Sequence, residues 1–139
     1  MDDEDQPSVM AIDPGSRRCG VAVVRMDGTA LFRAISLSDE IQGLADQLIT
    51  KYRPTALLIG DGTGCEETEC CLRLLSRGIP VYRVDESRSS EAARKRFIEE
   101  HRATGWQRFL PHSLRTPQRP YDDYAAQILA ERWWKARSV

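Results

Sequence analysis

Two rhythms of apolar residues run along this chain and sort it into strands and helices. Val9 to Ile12 is an unbroken apolar run that stops at Asp13-Pro14-Gly15. That is the pattern of a short buried strand ending in a turn. Gly20 to Met26 is rich in β-branched residues, and the Asp27-Gly28 pair after it is a hairpin signal. Thr29 to Leu37 continues as a third strand. Three consecutive strands joined by short turns predict an antiparallel meander.

Beyond residue 38 the period lengthens. Ile41, Leu44, Ala45, Leu48 and Ile49 recur at helical spacing, which predicts an amphipathic helix over 39–52, ended by Pro54. Thr55 to Gly60 is nearly all apolar, as expected of a strand covered on both faces. Asp61-Gly62-Thr63-Gly64 reads as a tight turn. Thr63 and Glu66 have capping-box spacing, so a second helix is expected through Ser76, stopped by Gly78. Ile79 to Val84 is a fifth strand. Ser89 or Ser90 caps a third helix through Glu100. Residues 102–120, rich in proline and arginine, read as a long loop. Tyr121 to Ala136 is a final helix with Ala125, Ile128, Leu129 and Trp133 on one side; Trp133 and Trp134 cannot both face one core.

The order is β-β-β-α-β-α-β-α-loop-α. Crossover helices around strands 4 and 5 imply parallel pairing with right-handed connections. The expectation is an α/β domain over residues 8–139, with a five-stranded mixed sheet flanked by helices, three strands antiparallel and then two parallel. Residues 1–7, with Asp2, Asp3, Glu4 and Asp5, read as a flexible acidic leader.

Composition narrows the function. A chain of 139 residues holds one core and not two. No apolar stretch approaches the ~20 residues that span a bilayer, and the start has no signal region, so a cytoplasmic protein without membrane contact is expected. Cys19, Cys65, Cys70 and Cys71 lack a C-x-x-C spacing and lie far from His101 and His112; they read as reduced, partly buried thiols. A net charge of −1 argues against a uniformly basic nucleic-acid binder. The charge is segregated, however. The stretch 102–120 carries Arg102, Arg108, Arg115 and Arg119 and no acid.

Acids stand at the ends of the buried elements. Asp13 follows the first strand, Asp61 the fourth and Glu86 the fifth, and Asp122 opens the last helix. In parallel sheets, ligand sites gather beyond the carboxyl ends of the strands. Clustered carboxylates repel one another and need a counterion. Hard oxygen donors suit Mg²⁺ or Mn²⁺. Two such ions about 4 Å apart activate water and stabilise the leaving oxygen of a phosphodiester. Taken singly, each acid also reads as a turn residue or a helix first-turn residue. Arg17, Arg18 and Arg88 near the acidic turns, with the four loop arginines, can hold phosphates on either side of a cut. Trp106 and Phe109 can stack on unpaired bases. The competing reading of 102–120 is a solvated loop with one anchoring aromatic.

Three ordered stretches carry a family resemblance. Ala11-Ile12-Asp13-Pro14-Gly15-Ser16-Arg17-Arg18-Cys19-Gly20-Val21-Ala22 resembles the opening signature of the YqgF/RuvX family, relatives of the RuvC Holliday-junction resolvases. Val84-Asp85-Glu86-Ser87-Arg88-Ser89-Ser90-Glu91-Ala92 resembles its second signature, with Ser87 where the pattern has arginine and a spacing one residue shorter. Tyr121-Asp122-Asp123-Tyr124-Ala125-Ala126 resembles its third. The resemblance implies an RNase H-like fold with Asp13, Glu86 and Asp122 as the acidic triad. Asp85 and Asp123 are the weaker candidates beside Glu86 and Asp122. It implies a nuclease associated with maturation of the small-subunit ribosomal RNA precursor and with branched DNA. The strand-4 turn, Gly60-Asp61-Gly62-Thr63-Gly64, is instead similar to the YqgF-like domain of Tex proteins, which implies a non-catalytic nucleic-acid-binding alternative. Asp61 falls near the strand-4 acid of the resolvases and is a candidate fourth metal ligand. RNA, DNA or both are the expected partners, with the chain a monomer or a homodimer. A sugar-kinase or actin-like nucleotide cradle needs two lobes, where this chain supplies one.

Overall fold

The computed structural model describes residues 6–62, 64–85, 92, 95–96, 99 and 122–137. Its elements are β1 (Ser8–Asp13), β2 (Arg18–Arg25), β3 (Ala30–Leu37), α1 (Ile41–Tyr52), β4 (Ala56–Gly60), α2 (Cys65–Leu75), β5 (Val81–Val84) and α3 (Asp122–Arg137). The sheet order is β3-β2-β1-β4-β5. β1–β2 and β2–β3 pair antiparallel, whereas β1–β4 and β4–β5 pair parallel. This is the mixed five-stranded sheet that the apolar rhythms predict. Ala92, Lys95, Arg96 and Glu99 are helical; the rest of the helix expected over 89–100 lies outside the described residues, as do the loop 102–120 and residues 1–5.

β1 and β4 lie inside the sheet, which is why their sequences barely alternate. Met10, Ile12, Val21, Val23, Leu57 and Ile59 face α1 and α2. Val9, Ala11, Ala22, Val24, Ala56 and Leu58 face Ala126, Leu129 and Ala130 of α3. Full burial of each large aliphatic side chain contributes about 1.5–3 kcal/mol. The small residues Ala11, Ala22 and Ala56 lie opposite two alanines of α3, so the helix seats closely on the sheet.

α1 buries Ile41, Ala45, Leu48 and Ile49, the stripe read from its period. It ends at Arg53, whose left-handed backbone (φ 46°) lets its amide donate to Ile49 O. The start of α2 differs from the expected capping box. The cap is Gly64, with no side-chain cap bond, and Thr63 lies outside the described residues. Gly64 takes φ 85°, a left-handed turn that glycine adopts without a Cβ penalty. The expected stop at Gly78 is present, with Arg77 and Gly78 both at positive φ.

The two tryptophans of α3 also depart from expectation. Both are half-buried. Trp134 Nε1 donates to Val24 O at 3.1 Å, and Trp133 packs edge-on to Trp134 and against Tyr82 of β5. A polar handle lets a large aromatic sit partly inside. Among the described residues, no helix is long and apolar enough to cross a membrane.

Candidate active site

Strand register builds the site around Asp13. β1 pairs Asp13 with Gly20, and β2 pairs Gly20 with Ile35. On the other side Ile12 pairs with Ile59, so Asp13 stands beside Gly60, which pairs with Val84. One row thus crosses the sheet: Ile35, Gly20, Asp13, Gly60, Val84. Neighbours in it are about 5 Å apart. Asp13 is in phase with Val9 and Ala11, which face α3. Its carboxylate is half-buried on that face, and neither flanking strand projects a side chain next to it.

The turn after Asp13 is tightly specified. A Cβ on Gly15 would lie 2.3 Å from Arg18 O, a clash with backbone that only glycine avoids. Ser38, past the end of β3, pins the turn. Its hydroxyl donates to Gly15 O at 2.9 Å and its amide to Arg17 O at 2.8 Å. Cys19 Sγ lies 3.6 Å from the same hydroxyl. The turn carries Arg17, exposed, and leads into Arg18, half-exposed. Both therefore stand at the Asp13 end of the sheet.

Asp61 is exposed at this end, and its amide donates to Val84 O at 3.1 Å. By strand alternation it is in phase with Leu57 and Ile59, toward α1 and α2, and out of phase with Asp13. α3 runs against β1. Its far end is held at Val24, which pairs with Val9 at the start of β1. Its amino end, beginning at Asp122, therefore points to the carboxyl end of β1.

That amino end is gripped by Arg33 of β3, a residue that sequence reasoning missed. Arg33 Nε pairs with Asp123 Oδ2 at 3.0 Å. Its terminal nitrogens donate to the Tyr124 hydroxyl at 3.0 Å and to Gln127 Oε1 at 2.9 Å. The guanidinium also lies over the Tyr124 ring, 3.8 Å from its centre. Burial pushes the Asp123 carboxyl above its ordinary value, while Arg33 pulls it back. The available signal was a cation in the file Leu31, Arg33, Ile35, Leu37, which is otherwise apolar.

The fold thus brings Asp13, Asp61, Arg17 and Arg18 to one end of the sheet, with the start of α3 directed there. Asp122 is the first residue of α3, and its side chain lies outside the described residues. So do Glu86, Arg88, Arg102, Arg108, Arg115 and Arg119. Among the described residues, no group of three or more His, Cys, Asp or Glu could hold a metal ion. The donors that are described, the Asp13 and Asp61 carboxylates, are of the hard-oxygen kind that Mg²⁺ and Mn²⁺ take.

No family model matches the chain, and no curated protein matches it. Among solved structures it is similar to RuvC of Thermus thermophilus in complex with Holliday junction substrate. The identity is 17% and the TM-score 0.59, covering 95% of this chain and 96% of that chain. It is also similar to a second T. thermophilus RuvC structure, at 17% identity and TM-score 0.58, covering 94% and 96%. The fold is α/β, a mixed five-stranded sheet of the RNase H-like kind that RuvC has. The likeness is one of fold, to RuvC; it does not extend to the YqgF/RuvX family that the three sequence motifs resemble.

Proposed function

We propose that this chain is a metal-dependent nuclease of the YqgF/RuvX kind, hydrolysing phosphodiester bonds. The observation that carries the reading is the place of Asp13. It ends a central strand, has only glycines beside it in the sheet, and faces the helix whose first residue is Asp122. Asp13, Glu86 and Asp122 are the residues that would hold Mg²⁺ or Mn²⁺. Such an ion, when bound, supplies a nucleophilic water and offsets charge on the leaving oxygen. Arg17 and Arg18, with Arg88 and the four arginines of 102–120, hold the flanking phosphates. Asp61, out of phase with Asp13, acts at the rim. The substrate class is RNA, with the small-subunit ribosomal RNA precursor as the natural target, and branched or single-stranded DNA second. The likeness to a RuvC bound to Holliday junction substrate supports structured nucleic acid as ligand. The protein works in the cytoplasm as a monomer or homodimer.

The Tex-like, non-catalytic reading is favoured by one feature, the glycine-rich turn after β4. One experiment separates the two. A labelled RNA hairpin and a four-way DNA junction are incubated with the protein and Mn²⁺. The nuclease reading expects cleavage by wild type. It expects none by Asp13→Asn, which still binds and melts no lower, because removing one of several clustered charges relieves repulsion. Binding without cleavage by wild type would establish the Tex-like reading instead.

A further inference from the structure

We infer that Arg33 is a positioning residue that sets the metal affinity of the proposed site by fixing the first turns of α3. The inference rests on the nuclease reading above. Arg33 commits its guanidinium to one helix segment, residues 123–127, through the Asp123 carboxylate, the Tyr124 hydroxyl and the Gln127 amide oxygen. Stacking on the Tyr124 ring holds its plane. An isolated surface ion pair contributes little, but a rigid fork with several partners on one helix resists rotation about the helix axis. The far end is held at Trp134. Two anchors at opposite ends define both the direction and the roll of α3. Asp122 lies in the turn that Arg33 grips, so its place follows from that roll. Arg33 pairs with Asp123, the weaker of the two adjacent acids as a candidate for metal.

A mere charge effect and a positioning effect have opposite signs. Removing a cation from an acidic site tightens divalent binding by Coulomb's law. Loosening the helix that carries a ligand weakens it. Arg33→Met keeps the apolar stem and removes every donor. Mn²⁺ binding is measured by calorimetry and by the Mn²⁺ electron paramagnetic resonance signal, beside the Mn²⁺ dependence of RNA cleavage. The expected result is a dissociation constant raised about tenfold, the usual scale for losing support behind a ligand, with cleavage recovered at saturating Mn²⁺. Arg33→Lys keeps the charge and loses the fork, and it weakens binding in the same direction. Tyr124→Phe removes only one acceptor and keeps the stacked ring; it shows a smaller loss and serves if Arg33→Met does not fold. Folded variants with unchanged or tighter Mn²⁺ binding would overturn the inference while leaving the nuclease reading intact. Wild type that neither binds Mn²⁺ nor cleaves would remove both.

Discussion

At the scale of single residues, the turn after β1 is tightly constrained. Gly15 has no room for a methyl group, because the obstacle is the Arg18 carbonyl and not a flexible side chain. Gly15→Ala should therefore cost about 1–3 kcal/mol, the range for forced overpacking, read as a lower midpoint in urea unfolding. Unchanged stability would mean that the turn opens without strain. Asp13 was legible in the sequence for a simple reason. A fully apolar run stops at a carboxylate followed by Pro-Gly, which marks the end of a buried strand and the turn after it. Gly20 and Gly60 were not legible as its flanks, since only register reveals which residues of three strands share a row. Arg33 was harder still. Its partners lie some ninety positions away in sequence, and local pattern holds no information about contacts at that separation.

At the scale of elements, α2 and β5 are tied by Glu69. It accepts from Arg73 one turn later on the helix and from Arg83 on the strand. The Arg73 bond, followed by that of Arg83, holds the Glu69 carboxyl below its ordinary 4.5. A carboxylate lowered by folding stabilises the native state above that ordinary value, and this support is lost as pH falls through the lower folded value. Glu69→Gln should accordingly melt below wild type at neutral pH. The gap should close in acid and shrink in high salt, because both arginines are exposed. A gap of constant size across that range would assign the loss to packing. Element order and type were readable because long apolar periods survive local noise. The start of α2 was not, since Thr63 and Glu66 have the right spacing while Gly64 makes the cap through its backbone. Capping-box spacing records what side chains can do and not what the chain's direction demands. β5 was predicted to start at Ile79, but the strand runs from Val81: the Ile79 amide turns back to Ser76 O, and Pro80, with no amide, contributes only its carbonyl, to Leu57 N.

At the scale of the whole molecule, the helices cover the two faces of one sheet and the deepest strand residues lie on β1, β2 and β4. Leu58 is fully buried on β4, against α3. Leu58→Ala should cost about 2–5 kcal/mol, as for other large-to-small core changes, with a cooperative loss of the entire far-ultraviolet signal in denaturant. A loss confined to part of the signal would mean that the two faces unfold separately.

The strength of this sheet is uneven. Asp13 belongs to a strand bonded on both sides, whereas Glu86 follows β5, an outermost strand of four residues of which none is fully buried. Border strands of this kind detach locally at a fraction of the global free energy. Amides of β5 should thus trade their hydrogens for deuterium well before those of β1. On the proposed nuclease reading, rising urea should silence cleavage while the circular dichroism is still native, through fraying at the margin long before the centre dissolves.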